Sequence, residues 1–305
     1  MVQSGIDFNP PIGKPELLEA GVRRILAPNP SPMTFRGTNT YLLGSHDIAV
    51  IDPGPDSQEH LKAILTALKP GQKITHILVT HSHSDHSPLA IALSQASGAK
   101  IYGFGPTGSG ESDAMRELIA SGYNGGGEGR DNGFQPNICL KEGDEIKGDG
   151  WSMSVLHTPG HFANHVTYVW NDIAFTGDHI MEWASSMVSP PDGDLADFMS
   201  SCHKLEGRDW RIFYPGHGAP VQKPIERLEW LISHRLGREA DILEALKQKQ
   251  MSPSELAEKI YVETPKALLG AAARNVFAHL IDLHSRQFIV CDGSPRFHKL
   301  FARVE

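Results

Sequence analysis

The sequence predicts an α/β protein, a sandwich of two β-sheets with helices on its outer faces, carrying a small C-terminal module of winged-helix outline. Two β-rich halves, each followed by helical stretches, predict the sandwich, because each sheet must bury one face and helices can cover the other. A change after His217, from strands and turns to long helical runs that end in a hairpin, predicts the module. The 305 residues and 33.4 kDa leave room for one large domain and one small one, each with its own core. We place them at residues 1–222 and 223–305.

Taken in order, Met1 to Leu18 carries prolines and acids rather than a basic start and an apolar run. No later stretch approaches roughly 18 consecutive apolar residues, so a soluble, cytoplasmic protein is expected. Val22 to Ala27 and Thr38 to Leu43 pattern as strands, and His46 to Gly54 as a return that ends in a turn. The loop from Asn29 to Tyr41 is stiffened by prolines and presents Met33 and Phe35, which either pack on the surface or wall a cleft. Gln58 to Leu68 has helical periodicity and stops at Pro70-Gly71; Ile74 to Thr80 is a buried strand, Ser87-Pro88 opens a helix to about Ala96, and Lys100 to Gly103 is another strand. Regularity then fades. Ser121 to Gly133 holds six glycines without the Gly-Lys-Ser/Thr ending of a phosphate loop, and reads as a lid or a linker.

From Asn137 to Trp170 short strands alternate with turns, and Val166 to Trp170 pairs with Ile173 to Thr176 across Asn171-Asp172. Asp194 to Leu205 is a helix and Arg211 to Tyr214 the last strand of the sandwich. Pro224 to Lys249 reads as a long helix, and the capping box Ser252-Pro253-Ser254-Glu255 opens a second. Thr264-Pro265 starts a third that reaches about His284, and Gln287 to Cys291 with Arg296 to Phe301 forms a hairpin. Arg286, Arg296, Lys299 and Arg303 make this end basic: residues 1–220 carry 15 basic and 25 acidic side chains, 221–305 carry 13 and 11. The module either contacts nucleic acid through its third helix and the hairpin, or is a helical cover that braces the cleft or makes a homodimer. Cys139, Cys202 and Cys291 lack CxxC spacing and are expected as buried apolar residues in a reducing compartment.

The chemistry concentrates in Ile77 to His86, where an apolar run ends in His81, His83, Asp85 and His86. Burying imidazoles beside a carboxylate costs roughly several kcal/mol unless a cation binds them. After a strand, the turn can aim His81 and His83 at one point while Asp85 and His86 face another, so two adjacent metals fit better than a histidine-rich surface loop.

Thr80-His81-x-His83-x-Asp85-His86 resembles the signature of the metallo-β-lactamase superfamily at every specified position. His157-Thr158-Pro159-Gly160-His161, Phe175-Thr176-Gly177-Asp178 and Tyr214-Pro215-Gly216-His217-Gly218 resemble its further motifs, in order. The resemblance implies the metallo-β-lactamase fold and a ligand set in which His161 joins His81 and His83, His217 joins Asp85 and His86, and Asp178 bridges both groups. Gly37-Thr38-Asn39-Thr40-Tyr41, Ser189-Pro190-Pro191-Asp192-Gly193 and the Met251-Ser252-Pro253 stretch make the chain most similar to the β-lactamase-like protein 2 family and its bacterial relatives. That family includes single-strand endoribonucleases.

The ligand set implies a pair of Zn²⁺ ions, or of other divalent transition metals, and a bridging hydroxide that attacks a phosphoryl or acyl centre. Asp85 is both a ligand and a candidate to orient the nucleophile. His165 and His179 are catalytic candidates that either support the ligands or protonate the leaving group, and Asp52 is expected to orient a histidine ligand or cap a turn. A hydrolase of single-stranded RNA or another phosphodiester is the leading expectation, with a glyoxalase-II-like hydrolase of thioesters, lactones or other small esters as the alternative. A β-lactamase is disfavoured, because the antibiotic-hydrolysing branches generally lack the bridging aspartate, and a non-enzymatic binding protein is disfavoured by the complete ligand set.

Overall fold

A computed structural model describes residues 8–125 and 129–304. The first seven residues and positions 126–128 of the glycine-rich stretch read as a lid or linker lie outside the described residues.

The first sheet runs β1 (Glu16–Glu19), β2 (Val22–Leu26), β3 (Asn39–Leu43), β4 (Asp47–Ile51), β5 (Lys73–Leu78), β6 (Lys100–Gly103) and β7 (Ile138–Cys139), in chain order across the sheet. It is antiparallel up to β4 and parallel from there on. Parallel neighbours need a crossover, which α1 (Gln58–Thr66), α2 (Leu89–Ser97) and α3 (Asp113–Ala120) supply. The second sheet holds β8 (Glu145–Gly148), β9 (Trp151–His157), β10 (Val166–Trp170), β11 (Ile173–Gly177) and β12 (Ile212–Pro215). All its pairs are antiparallel except the last, which α4 (Leu195–Glu206) makes parallel.

Between the sheets, Val22, Tyr41, Leu43, Ile51 and Leu78 meet Met153, Val155, Val166, Tyr168 and Phe175. The outer face of the first sheet carries Ile25, Leu42, Ile48, Val50 and Ile77, which pack under Ile64 of α1 and Leu89 and Leu93 of α2. Burial on both faces explains why β4, from Ile48 to Ile51, is continuously apolar rather than alternating. The second sheet is covered likewise by Phe198, Cys202 and Leu205 of α4. The layers are thus the α, β, β, α order the sequence predicts.

The C-terminal module comprises α5 (Pro224–Leu246), α6 (Pro253–Ile260), α7 (Leu269–Ser285) and a ribbon of β13 (Ile289–Cys291) and β14 (Phe301–Arg303). Ser252 caps α6 through the expected reciprocal bonds with Glu255. The helix α5 serves two cores: Leu228 and Leu231 lie against the second sheet's outer layer, while Ile242, Ala245 and Leu246 enter the module's own core with Leu256, Val276, Phe277, Leu280 and Phe301.

Four expectations need correction. The ribbon's return strand starts at Phe301, so Arg296 and Lys299 lie in the connecting loop. The helix α3 falls where periodicity had faded, and its Met115 and Leu118 belong to the module's core. The N-terminal β1 was not read as a strand; it is a short edge strand with two of its four residues exposed, which leaves little apolar signal. Only Cys202 of the three cysteines is buried; Cys139 is exposed and Cys291 half-buried.

Candidate metal centre

The residues singled out by the sequence come together at one edge of the sandwich, each just beyond the C-terminal end of a strand. His81, His83, Asp85 and His86 follow β5, His161 follows β9, Asp178 follows β11 and His217 follows β12. They form two groups whose ligand atoms lie within 4.8 Å of one another: His81, His83, His161 and Asp178, and Asp85, His86, Asp178 and His217. Asp178 belongs to both, with Oδ2 at 3.2 Å from His217 Nε2 and 3.7 Å from His161 Nε2, and Oδ1 at 3.4 Å from His86 Nε2.

Within the first group Nδ1 of His83 lies 2.9 Å from His81 Nε2 and 3.1 Å from His161 Nε2. In the second, His217 Nε2 stands 3.1 Å from Asp85 Oδ2. Six of the seven side chains are buried, and Asp85 is partly open to solvent.

What lies behind the rings tests whether these groups suit a metal. Nδ1 of His86 donates to Asp52 Oδ2 at 3.0 Å, and Nδ1 of His81 to Thr80 Oγ1 at 3.0 Å, since that hydroxyl donates its own proton to Asp52 Oδ2. His161 Nδ1 donates to the Met187 carbonyl at 2.7 Å and His217 Nδ1 to the Gly37 carbonyl at 3.1 Å. In all four the outer bond fixes the proton on Nδ1, so the Nε2 lone pair points inward, as a metal ligand requires. His83 presents Nδ1 inward instead, and its buried Nε2 has no hydrogen-bond partner among the described residues. The donor set of five imidazoles and two carboxylates suits divalent transition metals.

The charges agree. Burial raises the carboxyls of Asp85 and Asp178, but the rings of His86 and His217 beside them outweigh it and hold both well below the usual carboxylate range. Against the same burial, the carboxylates lift His86 well above its ordinary value and His217 to about 10. In the other group burial, then the neighbouring rings, press His81 far down and His83 to about 3; burial also lowers His161. The carboxylate-rich group calls for positive charge, which protonated rings or a bound cation can supply.

Local backbone makes the convergence possible. Asp52 sits in the left-handed region (φ 50°), stabilised by its carboxylate accepting from Thr80 N at 2.7 Å, Thr80 Oγ1 at 2.8 Å and His86. Gly216 has no room for a side chain: a Cβ there would lie 2.4 Å from Asp178 Oδ1 and 2.6 Å from His86 Cε1.

The two other catalytic candidates sit deeper. His165 and His179 are fully buried, the first 5.1 Å ring to ring from His81 and the second 5.8 Å beyond it. Burial presses His165 well below its ordinary value and His179 to about 3, so both are neutral at physiological pH. His165 bonds Thr158 Oγ1 at 2.9 Å.

The loop before β3 closes one side of the site. Asn39 N donates to Gly216 O at 2.7 Å, and Phe35 stacks on Trp183 with ring centroids 5.0 Å apart, while Met33 is about half exposed. The described C-terminal part of the glycine-rich stretch is also tied here, Ser84 N to Gly129 O and Asp131 N to Ser82 O, each at 2.9 Å. Sequence reasoning missed the carbonyls of Met187 and Gly37, because a main-chain acceptor carries no side-chain signal.

Residues 33–227 match the family model described as metallo-beta-lactamase superfamily, and residues 252–296 that described as beta-lactamase associated winged helix domain. A beta-lactamase-like protein 2 homolog of Drosophila melanogaster is 34% identical over 87% of this chain and 88% of its own length. An atrochrysone carboxyl ACP thioesterase of Passalora fulva is 28% identical over 86% and 74%. A beta-lactamase domain protein from Burkholderia ambifaria shares the fold, with a TM-score of 0.80 at 22% identity over 98% of this chain and 96% of that one.

Proposed function

The chain belongs to the metallo-beta-lactamase superfamily and is a hydrolase of that group; from this premise we propose that it uses two divalent metals, zinc by preference, to cleave phosphodiesters of the single-stranded RNA kind. The sharing of Asp178 between two four-residue groups carries the reading, because a cation held by each group would help meet the charge of a phosphoryl centre. A metal pair held by His81, His83, His161, Asp85, His86, His217 and Asp178 would supply acidified water and an electrophile for the developing negative charge.

The chain's own residues do the rest. Asp85, the one partly exposed ligand, would orient the attacking water. Asp52 and Thr80 hold the tautomers of His86 and His81. His165 and His179, neutral and without a solvent face, act as positioning residues under the ligands, and leaving-group protonation falls to solvent. Residues 1–222 would form the catalytic domain and 223–305 the C-terminal one, joined through the shared helix α5.

A second reading, hydrolysis of a thioester or other small ester, has its own support in the stacked Phe35 and Trp183 rings and in the relative named as a thioesterase. The basic residues of the wing lend RNA only partial support. Arg286 pairs with Glu239 and Asp282, and Lys299 bonds the carbonyls of Asp292 and Ser294, whereas Arg303 is exposed.

Metal-replete protein should carry about two transition metals per chain by elemental analysis, and Asp178→Ala should lose occupancy in both groups. Side-by-side assays on single-stranded RNA, bis-p-nitrophenyl phosphate, S-lactoylglutathione, a homoserine lactone and nitrocefin then separate the substrate classes. Turnover of S-lactoylglutathione with neither phosphodiester cleaved would replace the first reading by the second.

A further inference from the structure

We propose that Arg235 of α5 and Asn275 of α7 are positioning residues for the group His81, His83, His161 and Asp178, acting through the backbone of Met187. The proposal rests on the reading of that group as a metal site. His161 is oriented by one bond, from its Nδ1 to the carbonyl of Met187. Met187 lies on an irregular segment between β11 and α4, and among the described residues Ser186, Met187 and Val188 make no backbone–backbone hydrogen bond. Side chains from the C-terminal helices aim this carbonyl instead.

On one flank, Arg235 donates to the carbonyl of Ser186. On the other, Val188 N donates to Asn275 Oδ1 at 3.3 Å, and Arg235 donates to the same oxygen at 2.9 Å. The two clamps therefore lock each other as well as the peptide on either side of Met187. Neighbouring positions are held from the same helices: Arg227 bonds the carbonyls of Met181 and Ala184, and Arg274 the Ser189 hydroxyl at 3.2 Å.

Arg235 itself marks the arrangement as more than packing. It is 1% exposed, lies over the Phe198 ring at 4.9 Å, and has no carboxylate partner among the described residues. A buried guanidinium without a counter-ion is costly, and hydrogen bonds to a carbonyl and an amide oxygen are what compensate it here. Arginine suits the task because its planar fork reaches both acceptors at once, which an ammonium cannot. The C-terminal module thus reaches a ligand of the sandwich without touching the metal pair.

The test is metal affinity, read by chelator competition and by the spectrum of the Co²⁺-loaded protein, in paired variants. Asn275→Leu removes the shared acceptor, and Asn275→Asp keeps it. The leucine variant should weaken one of the two bound metals by about ten- to a hundredfold, the range seen when a ligand's outer partner is lost, and leave the other unchanged. The aspartate variant should behave as wild type. Equal weakening of both metals in step with a lower Tm, with aspartate no better than leucine, would reduce the clamp to general packing and overturn the proposal. Should the leucine variant not fold, Arg235→Lys reads the same link: selective weakening supports the clamp, and wild-type affinities at both metals overturn it. Wild-type protein that takes up no metal in this group sinks the metal-site reading and the proposal with it. Wild-type uptake matched by an indistinguishable leucine variant removes the clamp alone.

Discussion

His60 shows how a single buried ring sets part of the acid limit of this fold. It is fully buried under the turn after β4, and Thr40, which donates its own proton to the Asp52 carbonyl, accepts from His60 Nε2 at 2.8 Å. Burial presses its pKa from 6.5 to about 4. A histidine lowered in the folded state costs nothing above 6.5, where both states are neutral. Below that the unfolded chain takes up the proton and the folded one does not, so each pH unit down to 4 removes about 1.4 kcal/mol of stability through this group. His60→Gln should flatten the fall of unfolding free energy between pH 6.5 and 4 by up to that slope, as read by urea denaturation at several pH values. Parallel slopes for the two proteins would show that the ring is not held neutral. At this scale the sequence was most informative about side chains with unusual chemistry: the histidines and aspartates announced themselves by type and spacing. The depth of His165 and His179 was not legible, because a histidine beside a motif reads the same whether its ring faces the cleft or the core.

Among the elements, α5 has the widest reach. Its first half buries Leu228 and Leu231 against the sandwich, each contributing roughly 1.5–3 kcal/mol, while Arg227 and Arg235 hold the segment after β11. A fragment ending at residue 222 would expose that apolar layer on α4 and free the segment bearing Met187. We expect such a fragment to lose near-UV circular dichroism and bind ANS, keeping much of its far-UV signal. A native near-UV spectrum would show that the sandwich needs nothing from the module. Strands β2 to β6 and helices α1, α2, α4 and α6 were legible because periodicity and caps agreed along them. The helix α3 was overlooked although Ser112 caps it and Met115 and Leu118 share one face, because its eight residues lie between glycine-rich segments. The wing strand was displaced because the turn after Cys291 is longer than a two-residue hairpin and carries Arg296 and Lys299 outside any strand.

For the whole molecule the architecture of layers and module was readable, whereas their mutual dependence was not: a change of composition marks where a new module begins but says nothing of what it holds. The single helix common to both cores has a thermodynamic meaning. Neither half can melt without breaking α5, so the two should lose structure in one cooperative step even though each has a core of its own. In scanning calorimetry at fixed metal load we expect one transition, with calorimetric and van't Hoff enthalpies equal and on the order of 200 kcal/mol for a chain of this size. Two resolved peaks would mean that α5 can fray at its middle and release the module first. A single peak would mean that a mutation in the wing, far from the shared Asp178, lowers the melting point of the sandwich that carries the His/Asp groups as much as its own.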